Sequence, residues 1–182
     1  MRTFLGAVIV ALVAGLVGCQ RSAAPPGEPP QASKEPVKPA TSAVSLKVGD
    51  AQALADLIAS HKGKVVFVDF WATWCHPCVE YFPHTVELHR QHAASGLATI
   101  SVSFDAAEEL EKARAFLAEQ GADFDNLLSR YEPGPEAFEA FQIDQVPHFR
   151  LYDRQGKLRY KWDEKPADAD AKIKELLAES AS

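Results

Sequence analysis

Residues 65–78 read VVFVDFWATWCHPC, and the rest of the chain can be understood as support for this stretch. Its first six residues, 65–70, are apolar or β-branched apart from one Asp, which favours a short buried strand. The WCHPC segment that follows can open a helix, and Pro77 suits the first helical turn because its missing N–H would have no partner there. Cys75 and Cys78 are therefore expected at a helix N-terminus, close enough to form a disulfide.

This placement predicts thiol–disulfide chemistry for the two cysteines. Unpaired N–H groups and the positive end of the helix dipole favour the thiolate form of Cys75, which we expect to be the nucleophile. Cys78 lies further into the helix and can attack the mixed disulfide that Cys75 forms with a substrate, which makes it the resolving thiol. We expect no cofactor and no metal.

Further residues give the stretch a resemblance to the thioredoxin superfamily. In that family the matching positions hold a buried acid, two tryptophans, a kink-forming helix proline and a cis-proline dipeptide. Residues 46–178 are most similar to the extracytoplasmic ResA/TlpA group, whose members carry WCxPC, then Phe-Pro, and an added helix and strand before the cis-proline. The matching positions here are Asp69, Trp71, Trp74, Pro83, Val146 and Pro147.

The resemblance implies a fold and a set of site residues. The fold is α/β and thioredoxin-like, with a central mixed sheet, helices on both faces and the inserted helix and strand of the family. Asp69 would accept the proton of Cys78 during resolution. Pro147 would be cis, and the backbone of Val146 would then pair with an extended client strand. The expected substrate groove comprises Trp74, His76, Pro77, Val146 and Pro147.

The resemblance also implies partners. Clients would be extracytoplasmic proteins that carry disulfides or thiols, such as the apocytochromes of cytochrome c biogenesis. Electrons would come from a membrane thiol reductase. The formal charge is −6 and no basic patch is visible, so nucleic acid is not an expected partner.

The N-terminal part of the chain reads as a leader. Residues 1–18 combine a basic start with an apolar run of 14 residues, shorter than the roughly 20 needed for a membrane span, and predict a signal peptide. The sequence LVGC at 16–19 resembles the bacterial lipobox, in which Cys19 would carry a lipid anchor to the membrane; an uncleaved helix with an incidental Cys is the alternative. The protein would then be a membrane lipoprotein facing the periplasm, in the outer membrane if Gln20 acts as a sorting residue.

Residues 19–44 differ in composition from both flanks. They hold six prolines among Ala, Ser, Lys and Glu with few large apolar side chains, which predicts a disordered, polyproline-like tether. A Pro-rich ligand for a partner domain is the alternative. The 138 residues from 45 to 182 are enough for one thioredoxin-like domain with its own core.

Hydrophobic periodicity predicts the elements of this domain. A helix joins the first two strands, so these should be parallel. The turn at 154–156 ends in a Gly that tolerates the positive φ of a hairpin loop. Helices are expected over 51–60, 77–94, 106–120, 135–141 and 166–178, and strands over 65–70, 97–104, 125–129, 147–153 and 157–162.

Two cysteines at this spacing are also compatible with functions other than thiol–disulfide exchange. Structural zinc needs four ligands, and no second Cys or His pair stands at matching spacing. A static disulfide in an oxidising compartment is possible, but a helix N-terminus would only make it easier to reduce. Copper handling is the alternative function, with Cys75, Cys78 and either His76 or His148 as soft-metal ligands. The motif of a thiol peroxidase is absent from the sequence.

Two neighbouring side chains also have alternative interpretations. Burial should raise the pKa of Asp69, which suits a proton acceptor; otherwise its carboxylate could bond the local backbone or Lys64. Ser101 stands where thioredoxins carry a Lys near this acid. His76 could favour the Cys75 thiolate as a cation, or be an exposed spacer.

Overall fold

The computed structural model of this protein describes residues 44–179. The predicted signal peptide, Cys19 and all but the last residue of the predicted tether lie outside this range. No helix among the described residues is long and apolar enough to cross a membrane.

Six strands and five helices, joined by turns of which two are 3₁₀, make up the described domain. The strands are β1 (Leu46–Gly49), β2 (Val65–Trp71), β3 (Leu97–Ser103), β4 (Asp125–Ser129), β5 (His148–Tyr152) and β6 (Leu158–Trp162). The helices are α1 (Ala51–Ser60), α2 (His76–His92), α3 (Leu110–Gln120), α4 (Pro135–Ala140) and α5 (Ala169–Ala178).

The strands form one mixed sheet in the order β1-β4-β3-β2-β5-β6. Strands β1, β4, β3 and β2 run parallel to one another, as their helical connections require. Strand β5 runs antiparallel to β2, and β6 runs antiparallel to β5. Strand β2 is therefore an interior strand with partners on both sides. The residues that follow its C-terminal end carry the two cysteines. This is the thioredoxin-like architecture that the sequence predicts.

The side chains of β2 alternate between two buried layers. All seven of its residues are buried, which explains the nearly continuous apolar run. Phe67 belongs to a cluster that α2 and α5 cover, where its ring stacks on Phe149 at 5.8 Å. Phe70 faces the opposite layer, where it meets Phe141 after α4 at 6.3 Å. Helices on both faces thus hold β2 in place.

Capping residues and glycines mark the ends of the helices and of the hairpin turn. The Asp50 carboxylate accepts a hydrogen bond from the Ala53 N–H at 3.0 Å and caps α1. Helix α2 ends in a 3₁₀ turn closed by Gly96, whose φ of 103° is unfavourable for other residues. Gly156 has φ 78° in the β5–β6 turn, as expected for that hairpin.

The structure corrects the predicted elements at three points. Strand β1 is not among the predicted elements. It has only four residues, and these are buried at the two ends and exposed in the middle, so burial does not alternate along it. The helix expected from 106 begins as a 3₁₀ turn, and α3 proper starts at Leu110. The last helix starts at Ala169 and not at Pro166, whose carbonyl instead accepts a bond from the Ala169 N–H in a preceding turn.

We predict that Phe67→Ala lowers the free energy of unfolding by about 3–5 kcal/mol, because it leaves a cavity between β2 and the two helices that cover it. Denaturant unfolding of the oxidised protein measures this. Leu158→Ala on β6 is the matched control, since this side chain is 42% exposed and its loss should cost about 0.5 kcal/mol or less. Equal losses in both variants would contradict the assignment of the core.

Candidate active site

The two cysteines form a disulfide at the start of α2. Cys75 is the N-cap residue of this helix, and its Cα lies 5.2 Å from that of Cys78 in the first turn. The Cys75 N–H donates to the Ala72 carbonyl at 3.1 Å, and the Cys75 carbonyl accepts from the Val79 N–H at 3.1 Å. Cys75 is 5% exposed and Cys78 2%, so the remaining access is greater at Cys75.

A buried carboxylate fastens the loop between β2 and Cys75. Asp105, just beyond β3, is fully buried and accepts hydrogen bonds from both the N–H (3.0 and 3.1 Å) and the hydroxyl (2.6 Å) of Thr73. The Ser103 hydroxyl donates to the same carboxylate at 2.6 Å. These bonds fix the backbone two residues before Cys75.

Sequence reasoning missed Asp105. A usable signal was present, because Asp105 follows a predicted strand that runs parallel to β2. The carboxyl ends of neighbouring parallel strands meet at one edge of the sheet, where ligands of α/β proteins also tend to bind. A polar residue at that point was a candidate for contact with the loop that carries Cys75.

The two tryptophans of the stretch have different environments. Trp71 is fully buried between Phe82 of α2 and Phe116 of α3, with ring centroids at 4.8 Å from each. Trp74 is 49% exposed next to the disulfide, and its indole N–H donates to the Phe104 carbonyl at 3.2 Å. Trp71 therefore contributes to the core, while Trp74 offers an apolar surface beside Cys75.

Asp69 is a buried acid on β2. It is 2% exposed, and its Oδ2 accepts a hydrogen bond from the Thr85 hydroxyl of α2 at 2.6 Å. Burial raises the pKa of Asp69 and the Thr85 bond partly opposes this rise; together they place the pKa at about 7. The carboxylate therefore bonds Thr85, and not the local backbone or Lys64, which the sequence offered as alternative partners. Ser101, opposite Asp69 on β3, donates to Asn126 at 2.7 Å instead.

His76 extends into solvent between the cysteines. Its side chain is 84% exposed, and its Nε2 lies 3.2 Å from Oε1 of Glu80, one turn further along α2. Pro77 is also exposed and occupies the first turn of α2, as predicted.

The peptide bond between Val146 and Pro147 is cis, which agrees with the resemblance noted above. Val146 is half-buried and Pro147 is buried at the entry to β5. The segment is tied to the end of β6, because the Gln145 amide donates to the Asp163 carbonyl at 2.9 Å. The loop before β5 and the residue after β6 are thus held together.

His148 is buried and not open to a ligand. Its Nδ1 lies 2.8 Å from Oδ1 of Asp163, and its Nε2 accepts from Nε of Arg150 at 3.2 Å. Burial lowers the pKa of His148, although the bond to Asp163 opposes this. Both ring nitrogens are engaged, which fits a neutral imidazole that donates to the carboxylate. Among the described residues, no group of three or more His, Cys, Asp or Glu side chains is arranged to hold a metal ion.

Comparison with known proteins gives concordant matches. Residues 33–177 match the Redoxin family. The thiol-disulfide oxidoreductase ResA of Bacillus subtilis is 24% identical over 127 residues, which cover 70% of this chain and 68% of that protein. The protein of the same name from Bacillus thuringiensis is 28% identical over 127 residues, 70% of each chain.

A solved structure from Chlorobium tepidum also matches. It is a thiol:disulfide interchange protein of the thioredoxin family, 26% identical, with a TM-score of 0.55. The match covers 66% of this chain and 84% of that one. Two cysteines that form a disulfide at the start of a helix can exchange electrons with other protein disulfides.

We predict that Asp69→Asn makes the protein more stable than the wild type at pH 8, with little difference near pH 4. Because the folded pKa of Asp69 is raised from 3.8 to about 7, the folded state binds a proton that the unfolded state releases between these two values. The stability of the wild type therefore falls as the pH rises from about 4 to about 7 and stays low above that. A pKa raised by about three units corresponds to a change of up to about 4 kcal/mol in the free energy of unfolding of the wild type relative to Asp69→Asn.

Denaturant unfolding of both oxidised proteins from pH 4 to pH 8 measures this difference in the free energy of unfolding. The other titrating groups are the same in both proteins, so their contributions cancel. Asp56→Asn on the exposed side of α1 is the matched control for the loss of a carboxylate from the protein surface. Two parallel stability curves for the wild type and Asp69→Asn would mean that Asp69 is not a buried acid of raised pKa.

Proposed function

Since the chain belongs to the Redoxin family and is a thioredoxin-like thiol–disulfide oxidoreductase, we propose that it reduces disulfides of extracytoplasmic client proteins through Cys75 and Cys78. The observation that carries this proposal is the Cys75–Cys78 disulfide at the N-terminus of α2, next to the exposed Trp74. A bond at this position can be opened and closed with little movement of the surrounding backbone.

In the reduced protein, the Cys75 thiolate attacks one sulfur of a client disulfide. A mixed disulfide forms, and the other client sulfur leaves as a thiolate and takes up a proton. Cys78 then gives its proton to Asp69 and attacks Cys75, which releases the second client thiolate. The client gains two electrons, and Cys75–Cys78 is left as the disulfide.

A second thiol protein must return the electrons for another cycle. Its dithiol would attack the Cys75–Cys78 disulfide in the reverse sense of the steps above, and become oxidised in turn. A membrane thiol reductase, as proposed from the resemblance, fits this role. The more accessible sulfur, Cys75, is the point at which both the client and this donor would react.

The client would lie along the exposed edge beside the disulfide. Trp74 supplies an apolar surface, and His76 and Pro77 are exposed at the start of α2. The backbone of Val146, next to Pro147, would pair with an extended client segment as an added strand. Backbone pairing of this kind is tolerant of client sequence, which suits an enzyme with several clients.

We also propose that the domain is tethered to the membrane from the periplasmic side, with residues 1–18 removed and Cys19 lipidated. The lipobox-like sequence supports this, together with the Pro-rich composition of residues 19–44. A lipid on Cys19 would keep the domain near a membrane reductase and leave it free to reach clients.

We predict that Cys75→Ser reduces turnover to background, whereas Cys78→Ser accumulates mixed disulfides. The reason is that Cys75 makes the first attack and Cys78 acts only on the resulting intermediate. The measurement is the reduction of insulin disulfides with dithiothreitol as donor, together with mass spectrometry of thiol-blocked samples.

The double variant Cys75→Ser/Cys78→Ser is the control and should trap nothing. Mixed disulfides that form on Cys75→Ser and not on Cys78→Ser would reverse the roles of the two cysteines. Equal turnover by the double variant and the wild type would remove both from the reaction.

We predict that Cys19→Ala moves the full chain from the membrane fraction to the soluble periplasmic fraction, because the lipid is its proposed anchor. Specific activity of the purified protein should stay unchanged. Fractionation and immunoblotting measure the location, and Ser22→Ala serves as the neighbouring control that stays with the membrane. Continued membrane association of Cys19→Ala would refute lipid anchoring at this residue.

A further inference from the structure

We infer that the Thr85 hydroxyl is a positioning group for the resolving step, because it holds the Asp69 carboxylate in its anionic, proton-accepting form. The inference rests on the proposed role of Asp69 as the proton acceptor of Cys78. It adds a residue that neither the sequence motifs nor the resemblance singles out.

Thr85 lies on the same helix and on the same face as Cys78. The two residues are seven positions apart, which is two turns of α2, and both are buried. The helix that carries the resolving thiol therefore also carries the group that binds the acid. The relative position of Cys78 and Asp69 is set in part by this cross-link between α2 and β2.

The hydroxyl of Thr85 donates to the acid and not along its own helix. A Thr inside a helix commonly donates to the carbonyl one turn earlier. Here the donor reaches Oδ2 of Asp69 at 2.6 Å, a short bond of the kind formed with a charged acceptor. Because a donated hydrogen bond is stronger to a charged oxygen than to a neutral one, this bond favours the ionised carboxylate.

The other groups around Asp69 do not replace this donor. Ser101 on β3 donates to Asn126, and the residue opposite Asp69 on β5 is Phe149. Tyr81 of α2 faces the same layer, but its hydroxyl donates to the Pro166 carbonyl before α5, at 3.5 Å. Within residues 44–179, the Thr85 bond is the only hydrogen bond that the Asp69 side chain makes.

The nearby titratable groups add no positive charge against the carboxylate. Burial and then the charge of Asp69 raise the pKa of Tyr81, so its hydroxyl stays neutral. Lys165, before α5, has its ammonium 5.4 Å from the centre of the Tyr81 ring. It is not among the groups that shift the pKa of Asp69. Burial thus works to keep Asp69 protonated, and Thr85 is the group that opposes it.

The test compares Thr85→Val, which keeps the shape but lacks the donor, with Thr85→Ser, which keeps the donor. Ser101→Ala on the facing strand is the matched control, because its hydroxyl serves Asn126. Two readouts are needed: the titration of the Asp69 carboxyl by carbon-13 NMR in the oxidised protein, and the pH profile of mixed-disulfide resolution in the reduced protein.

We expect Thr85→Val to raise the Asp69 titration midpoint by about one unit, and Thr85→Ser and Ser101→Ala to leave it near the wild-type value. Resolution by Thr85→Val should be about tenfold slower at pH values below the midpoint and should approach the wild-type rate at high pH. A packing defect would instead slow resolution equally at all pH values. Thr85→Ala gives the same readouts should Thr85→Val not fold.

An unchanged Asp69 midpoint in Thr85→Val would overturn the inference, as would a pH-independent loss of rate. Failure of the underlying proposal gives a different pattern. In that case Asp69→Asn would resolve the mixed disulfide at the wild-type rate, while the NMR midpoint would still report whether Thr85 controls the ionisation of Asp69.

Discussion

The chemistry proposed for this domain depends on a carboxyl group in the interior of the sheet. Asp69 lies on β2, between β3 and β5, and is shielded from water by α2. A charged group in such a place is costly, so its proton is held near neutral pH. The same burial that stabilises the fold through Phe67 therefore gives the domain an acid that can exchange its proton under ordinary conditions.

The parts of the fold and site that could be predicted are those that depend on residues close together in the sequence. Strand β2, the start of α2 and both cysteines occupy one continuous stretch, and the hairpin turn is marked by Gly156. Strand periodicity and helix-capping signals act over a few residues, so they can be recognised without knowledge of the folded chain. The thioredoxin-like arrangement followed from these together with the resemblance.

The parts that could not be predicted depend on contacts between distant residues. Asp105 meets Thr73 across 32 positions and Asp69 meets Thr85 across 16, so no local pattern joins either pair. A Thr within an amphipathic helix gives no sign that its hydroxyl is committed to a neighbouring strand. Strand β1 could not be predicted for a related reason. Its four residues carry too little pattern to indicate a strand, and its extended conformation is stabilised by pairing with the distant strand β4.

The bonds around Asp105 also hold the backbone next to the disulfide without depending on it. They end on Thr73 and Ser103, and none involves a sulfur atom, so breaking the disulfide leaves them intact. The position of the loop before Cys75 is therefore set by the buried carboxylate of Asp105 and not by the bond between the two sulfur atoms. Ordering this loop is consequently a cost of folding, and not a cost that each thiol exchange has to meet.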